Sequence, residues 1–368
     1  MPTARSDAAM QVTGIVEPAM RVRVWCAIAI GIIAAVFTWV TQRDLQSSGL
    51  APDSLVLWRG ARILLAGQNP YDALVWSQFQ GSVTDAAAWS TRLEPLYYPL
   101  PALLVWVPFA LGSFLAGSVT FSAVGGALFA FAVSKAGMHR VWACGSLPFL
   151  VALRFGQWST WLVAASMLPV LAFMLPAKPN LGLPLFLARP SRVMAMASIG
   201  VLAASFGVMP AWPREWWRAI TLDLPNSGAP HPIPLLQFGG AGAIVLLALS
   251  RWRRSEARLL VLMACVPQLP FWADQLALTT VATTRREVIW SVLAGHLGFL
   301  AWFQFAPKVT LYVPVMQPYA MLATYVPALF IVMRRPNVGR VRPWLERLTA
   351  RLPSWMRGAT CDDVAHGE

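Results

Sequence analysis

The sequence is dominated by hydrophobic runs that approach the length of a membrane span. One run covers residues 24–40, and others cover 193–208, 288–305 and 310–332. A helix needs about 20 mostly apolar residues to cross a bilayer, and in lipid only a helix or a closed barrel satisfies every backbone hydrogen bond. Hydrophobic residues make up 57% of the chain and charged residues only 12%, unlike a soluble domain. The chain is therefore predicted to be an all-α, polytopic transmembrane protein.

The distribution of arginine predicts which side of the membrane each segment faces. Cytoplasmic loops are rich in lysine and arginine, and arginines cluster before the first run, at 251–258, at 285–286 and after residue 333. We therefore expect a multi-pass protein of the cell membrane with both termini in the cytoplasm and about ten crossings. The net charge of +13 comes largely from these flanking residues, so nucleic acid is not expected as a partner.

This topology divides the chain into a membrane domain and two tails. Residues 1–22 form an amino-terminal cytoplasmic tail, 23–333 the multi-span transmembrane domain and 334–368 a basic cytoplasmic tail. Within the membrane domain, 42–97 is expected to be a large first external loop that carries interfacial helices. A second external loop is expected at 210–234.

Two apolar stretches are too interrupted to be single straight spans. The run 259–281 contains Pro267 and Pro270, and splitting it there returns the arginines on both sides to the cytoplasm. The run 98–131 is interrupted between Gly112-Ser113 and Gly117-Ser118. Two full spans and one bent, re-entrant segment both fit this second run, so the orientation around 98–140 stays open.

A long polar stretch, residues 41–101, lies between the first hydrophobic run and the next. Apolar residues at three-and-four spacing over 54–66 predict an amphipathic helix at the membrane interface. Gly67 is expected to end this helix, because glycine readily adopts the left-handed conformation that follows a last turn. The chain is then expected to re-enter the membrane at Tyr98-Pro99-Leu100-Pro101.

The order of motifs in this stretch resembles glycosyltransferase family 87. An early acid, Asp53, is followed by a short helix that ends in Ala66-Gly67-Gln68-Asn69-Pro70-Tyr71, and then by Tyr98-Pro99-Leu100-Pro101 before a hydrophobic run. The resemblance implies a GT-C fold and an enzyme that takes a sugar from a polyprenyl phosphate carrier, with mannose as the first candidate for that sugar. It also implies a lipid or glycan acceptor at the external face. In the resemblance, Asp53 falls on the position of the catalytic residue.

Asp53 is the candidate general base. An inverting transfer needs a carboxylate that removes the proton of the acceptor hydroxyl while the sugar carbon is attacked from the face opposite the phosphate. One carboxylate is enough for this reaction, unlike the paired acids of glycosidases. The alternative is a solvated loop aspartate that caps the helix beginning at Ser54.

Four basic residues are candidates for binding the donor phosphate. A leaving phosphate is stabilised by nearby positive charge, which arginine and lysine provide. Arg59 and Arg62 follow the candidate base on the same predicted helix, and Arg154 lies beside a Gly-Gln pair. Lys178 lies in apolar sequence, where an unpaired ammonium is costly, and Lys178-Pro179 resembles a pair common in the family. The alternative for Lys178 is a cytoplasmic helix end.

Gln157, Asp274 and Tyr98 are candidates for contacting the sugar or the acceptor. The Gly-Gln pair that ends at Gln157 resembles one found in the family; the alternative is a helix break with a buried amide. Asp274 lies in an apolar stretch, where an acid is a functional candidate by default, although Ala273 stands where the family has tyrosine. Asp274 contacting sugar hydroxyls and Asp274 pairing with Arg154 both stay open.

No metal or cofactor is expected, because the four histidines are scattered and no nucleotide-binding loop is present. Two other classes of function compete with glycosyl transfer. A transporter or lipid flippase also has broken helices and embedded charges, although no duplicated halves are visible. The third class is an enzyme-like protein that has lost activity and serves as a partner or scaffold.

Overall fold

The protein is helical throughout the part of the chain that the structure describes. The computed structural model describes residues 4–48, 51–81, 96–223, 233–268, 273–305 and 313–339. In these ranges there is no extended strand, and β-type contact is limited to isolated bridge residues, among them the pair Ile233 and Gln268. The predicted all-α class is therefore confirmed.

The described residues form fifteen α-helices, numbered here in chain order. They are α1 Ala4–Ser48, α2 Asp53–Leu65, α3 Ala73–Gly81, α4 Leu100–Ala110, α5 Phe114–Ser134, α6 Leu147–Phe155, α7 Ser159–Met167, α8 Pro179–Ala188, α9 Arg192–Val208, α10 Trp212–Arg218, α11 Gly240–Ala243, α12 Ser255–Cys265, α13 Arg285–Phe305, α14 Val313–Ala320 and α15 Val326–Met333. Tighter 3₁₀ segments are Met138–Gly145, Pro169–Ala177, Leu235–Phe238, Ile244–Arg251 and Ala273–Val281, and π-helical turns are Ala219–Asp223 and Met321–Tyr325. Many boundaries coincide with proline, which removes an amide donor from the helical ladder.

Four helices in the described ranges are long and apolar enough to cross a membrane. They are Met20–Ser47, Phe114–Ser134, Arg285–Phe305 and Val315–Met333. A fifth candidate is the pair formed by α9 and the following helix, which bends by 92° as a broken span or a re-entrant loop would. These helices support association with a membrane, whereas the count of about ten crossings stays a prediction.

The first span packs closely against α5 through small residues. An added Cβ at Gly31 would lie 3.1 Å from the Cβ of Ala127, and one at Gly126 would lie 3.0 Å from the Cβ of Ala34. Small residues let two helix backbones approach closely, which is how membrane helices gain van der Waals contact. Large apolar side chains lie exposed on α1, as on a lipid-facing surface: Trp25, Ile28, Ile32, Val36 and Trp39.

The helix predicted over 54–66 is observed as α2, and it ends as expected. Gly67 is left-handed with φ 72°. Its amide donates to the carbonyl of Leu64 at 3.0 Å, and the amide of Gln68 donates to that of Ile63 at 3.1 Å, which together make a Schellman motif. Residues 54–61 are all buried. The helix is thus packed into the protein instead of lying on its surface as the amphipathic pattern predicted.

Both predicted interruptions of apolar stretches are observed. The first separates the end of α4 at Ala110 from the start of α5 at Phe114, so it is shorter than predicted and Gly117-Ser118 lies inside α5. In the second, α12 ends at Cys265 and the chain is helical again from Ala273. Residues 269–272 between them lie outside the described ranges.

The predicted tails and loops are described only in part. The helix α1 begins at Ala4, so helix extends from the predicted amino-terminal tail into the first span without a break. Residues beyond 339 in the predicted carboxyl-terminal tail lie outside the described ranges, as do 82–95 and 224–232 in the two predicted external loops.

Candidate active site

Five of the predicted site residues come together at the ends of different helices. Asp53 is the first residue of α2, Tyr98 lies just before α4, and Gln157 lies in the turn between α6 and α7. Lys178 precedes α8, and Asp274 is the second residue of the 3₁₀ segment that begins at Ala273. These five residues are called the site network below. Because helix ends meet there, side chains far apart in sequence reach one another.

The carboxylate of Asp53 accepts hydrogen bonds from two members of the site network. The hydroxyl of Tyr98 donates to Asp53 Oδ2 at 3.2 Å, and the Gln157 amide donates to the same oxygen at 2.5 Å. The N-cap position of α2 is occupied by Pro52, without a side-chain capping bond. Asp53 therefore does not have the capping role that was the alternative to a functional one.

Lys178 connects the two carboxylates of the site network. Its ammonium donates to the Oε1 of Gln157 at 3.0 Å and to the Oδ1 of Asp274 at 2.7 Å. The side chains of Lys178 and Asp274 are only 13% and 5% exposed, so this is a buried ion pair of the kind that apolar surroundings require. Gln157 thus accepts a hydrogen bond from Lys178 through its amide oxygen and donates one to Asp53 through its amide nitrogen.

Gly156 allows Gln157 to reach Asp53. Gly156 ends α6 in the left-handed conformation with φ 62°, and the amide of Gln157 donates back to the carbonyl of Ala152 at 2.8 Å. A Cβ at Gly156 would collide with the Cβ and Oγ of Ser54. Glycine satisfies both the backbone angle and this close approach, and the turn therefore brings Gln157 against the start of α2.

The surroundings of Asp53 change its acidity. Burial raises the pKa of the Asp53 carboxyl above its ordinary value, and the positive charge of Lys178 opposes this rise. Hydrogen bonds from Gln157, Tyr97 and Tyr98 lower the pKa further without cancelling the effect of burial. A carboxylate with a raised pKa holds a proton more strongly, which suits a group that removes one from an acceptor hydroxyl.

The three candidate arginines lie in different surroundings. Arg59 is only 2% exposed, and its Nε and Nη1 have no hydrogen-bond partner among the described residues. Burial lowers the pKa of Arg59 to about 10. Arg62 is exposed; it lies over the Trp58 ring and its Nη1 is 3.5 Å from the carbonyl of Ala110. Among the candidate arginines, Arg59 is therefore the buried one whose Nε and Nη1 lack a hydrogen-bond partner in the described ranges.

Arg154 is already paired outside the site network. Its Nη2 lies 2.6 Å from the Oδ2 of Asp44 at the end of α1, and both side chains are well exposed. The partner of Asp274 is Lys178 instead. The alternative in which Asp274 pairs with Arg154 is therefore wrong. Asp44 at the end of α1 is the acid partner of Arg154, and Lys178 is the basic partner of Asp274.

Three further residues of the site were not identified from the sequence. The hydroxyl of Ser159 donates to Asp274 Oδ1 at 3.2 Å, and the amide of Asn180 is 3.4 Å from Asp274 Oδ2. The Tyr97 side chain hydrogen-bonds to Asp53. Ser159 and Asn180 each stand two positions after a candidate residue in otherwise apolar sequence, and that proximity was the available signal.

Comparison of the chain with protein-family models, with curated proteins and with solved structures found no match. The roles of the site residues therefore depend on the geometry of the site network and on the sequence motifs. Tyr98, Gln157 and Asp274 are 2%, 1% and 3% exposed. Polar groups buried to this extent need partners inside the protein, and here they find them in Asp53 and Lys178.

Proposed function

We propose that the protein is an integral membrane glycosyltransferase of GT-C type. It would transfer a sugar from a polyprenyl phosphate carrier to a lipid or glycan acceptor at the external face of the membrane, and mannose is the first candidate for that sugar. The observation that carries this proposal is the contact of Asp53 with Gln157, and through Gln157 with Lys178. A carboxylate, an amide and a cation named from separate motifs of one family resemblance are neighbours in space.

The reaction needs one proton transfer and one substitution at the sugar carbon. Asp53 accepts the proton of the acceptor hydroxyl, whose oxygen forms a bond to the anomeric carbon of the sugar. The bond from that carbon to the phosphate oxygen breaks, and polyprenyl phosphate leaves with the electron pair. Attack from the face opposite the phosphate inverts the configuration at the sugar carbon.

The leaving phosphate gains negative charge that a nearby cation stabilises. Lys178 is the cation of the site network, but it is engaged by Asp274 at 2.7 Å. Arg59 is buried on the same helix as Asp53 and has a guanidinium without a described partner. We therefore rank Arg59 first among the phosphate ligands, ahead of Lys178, the exposed Arg62 and the paired Arg154.

Contacts with the sugar are assigned to the polar groups around the base. Gln157, Asp274 and Tyr98 carry amide, carboxylate and hydroxyl groups, which hydrogen-bond sugar hydroxyls readily. Gln157 and Tyr98 also hold the carboxylate of Asp53 in place. A substrate hydroxyl that displaces either contact would change the environment of the base at the same time.

The test is transfer of radiolabelled mannose from polyprenyl phosphate to extracted lipids by the purified protein. Wild type is compared with Asp53→Asn and with the matched control Asp72→Asn. The carboxylate of Asp72 accepts hydrogen bonds from the amides of Leu74 and Val75 at the start of α3, so this control removes a nearby acid outside the site network.

Product from wild type and from Asp72→Asn, but not from folded Asp53→Asn, is the expected result. Product from all three proteins would reject Asp53 as the base. If none gives product, reconstituted vesicles distinguish the transporter hypothesis, which predicts that movement of the sugar lipid across the membrane survives Asp53→Asn. Other lipid-linked sugars are then tested as donors.

A further inference from the structure

A second group of charges lies at one end of the helix bundle, apart from the site network. It contains five arginines and two glutamates, and is called the arginine cluster: Arg140, Arg189, Arg254, Arg258, Arg335, Glu256 and Glu287. Five positive charges face two negative ones, so three are unmatched within the cluster. The arginine distribution of the sequence predicts that this end faces the cytoplasm.

The arginine cluster is located where candidate spans begin and end. Arg335 follows the span that ends at Met333, and its Nη2 lies 2.7 Å from Glu287 in the first turn of α13. The side chain of Arg140, shortly after the end of α5, donates to the carbonyl of Thr280 at 3.4 Å. Three candidate spans therefore have an end here, which places the cluster at the membrane boundary.

Three of the five arginines form salt bridges or backbone hydrogen bonds inside the protein. Glu256 pairs with Arg254 and with Arg335, each at 3.4 Å. Arg258 donates to backbone carbonyls, including that of Ala188 at 2.9 Å. These contacts fix the ends of α8, α12 and α15 against one another, and among the described residues neither glutamate forms a salt bridge with the remaining two arginines.

Arg140 and Arg189 both lie close to Arg335 and its partner Glu256, and no salt bridge joins either of them to an acid among the described residues. Arg140 donates to the carbonyl of Thr280, next to Val281, whose carbonyl accepts from Arg335; Arg189 donates to Ser255, whose hydroxyl donates to Glu256. After burial itself, repulsion from the charges of Arg189 and Arg335 lowers the pKa of Arg140, whereas the charges of Glu256 and Glu287 raise it. The Nε of Arg140 is buried without a hydrogen-bond partner in the described ranges, while the Nε of Arg189 donates to the hydroxyl of Ser255 at 3.0 Å. An anion between them would relieve this repulsion.

We propose that Arg140 and Arg189 bind the phosphate of an anionic phospholipid headgroup. Two guanidinium groups supply the forked donors that match phosphate oxygens. The position at the ends of three spans favours a lipid over a free phosphate, because basic pockets between membrane helices bind anionic headgroups. This proposal is independent of glycosyl transfer and would hold for a protein with any activity.

The test is native mass spectrometry of the full, delipidated chain in detergent, titrated with phosphatidylglycerol, with phosphatidylcholine and with inorganic phosphate. Wild type is expected to bind phosphatidylglycerol about tenfold more tightly than phosphatidylcholine, and Arg140→Gln/Arg189→Gln to lose about tenfold of that affinity. The matched control is Arg285→Gln/Arg286→Gln, which removes two exposed arginines at the start of α13. This control should retain the affinity.

An equal loss of affinity in both double variants would overturn the proposal, because the binding would then reflect general charge. Full competition by inorganic phosphate at equal concentration would assign the site to a free anion instead of a lipid. Wild type alone gives the two titrations and the competition, so the proposal can fail even if the Arg140→Gln/Arg189→Gln protein does not fold.

Discussion

The Nε2 of Gln157 lies 2.5 Å from the Oδ2 of Asp53, across 104 positions of the chain. This contact joins the turn after α6 to the start of α2, and it places an amide between a candidate base and the ammonium of Lys178. An amide in this position transmits the effect of the cation without giving the carboxylate a direct ion pair. The base is thereby held in place and stays able to accept a proton.

The first prediction concerns the pH dependence of transfer. Burial raises the pKa of Asp53, so the fraction of the base form grows as the pH rises through a value above that of an ordinary carboxyl, and the rate should grow with it. Tyr98→Phe removes one hydrogen bond that lowers this pKa, and should move the midpoint upward. The measurement is kcat/KM against pH, with Tyr325→Phe as the control.

Tyr325 is a suitable control because it is a buried tyrosine whose hydroxyl is 3.4 Å from the carbonyl of Met263 and is not among the groups that hydrogen-bond to Asp53. An identical shift in both variants would mean that the midpoint reports general stability. A midpoint that moves downward in Tyr98→Phe would contradict the role assigned to its hydroxyl.

The second prediction concerns the stability of the buried ion pair. Lys178→Met leaves the Asp274 carboxylate buried without its cation, and should lower the free energy of unfolding by about 3–5 kcal/mol. The double variant Lys178→Met/Asp274→Asn should regain much of this loss, because neither charge is then left alone. The measurement is unfolding in detergent, and Lys135→Met, which replaces an exposed lysine, is expected to have little effect. A double variant whose loss of unfolding free energy equals the sum of the losses of the two single variants would contradict this prediction.

The third prediction separates the two arginines of α2. Arg59→Met should lower kcat/KM for the lipid-linked donor by about tenfold or more, because the buried guanidinium is the leading phosphate ligand. The thermal stability should be unchanged or higher, since the variant removes a buried charge without a described partner. Arg62→Met replaces the exposed arginine that we rank below Arg59, so it should lower kcat/KM less than Arg59→Met and leave the thermal stability close to wild type. Unfolding of Arg59→Met would assign Arg59 a structural role instead.

The fourth prediction concerns the turn that positions Gln157. Gly156→Ala introduces a left-handed alanine, which costs about 1–2 kcal/mol, and also a collision with Ser54. Gly67→Ala is the matched control, because Gly67 has φ 72° but open space around its Cα position. Gly156→Ala should therefore be the less stable variant and should lose transfer activity. Equal stability of the two variants would show that the contact with Ser54 is not tight.

The sequence predicted the parts of the fold that depend on near neighbours. The end of α2 at Gly67 and the breaks at Gly112 and after Cys265 were predicted correctly, because glycine and proline act on the backbone within a few residues. The buried position of α2 was not predicted. Its amphipathic pattern fits a lipid surface and a protein surface equally well, and the packing of α4 against it decides between them.

The site residues could likewise be identified from local sequence, whereas their ionic partners could not. Asp53, Gln157, Lys178 and Asp274 were identified one by one as polar residues in apolar surroundings, which is a local property of the sequence. Their contacts were not identified, and Arg154 was grouped with them although it pairs with Asp44. Charges separated by about a hundred positions are brought together only when helices pack, so a sequence without its fold cannot rank their partners.

By itself, the sequence determined that this chain forms apolar helices with basic flanks and carries a small set of polar residues that need partners. The hydrophobic effect and the backbone preferences of single residues are sufficient for that. The tertiary structure alone decided that Gln157 lies between Asp53 and Lys178 and that Arg59 is buried while Arg62 is exposed. Both outcomes depend on distances between helices, which no local pattern contains.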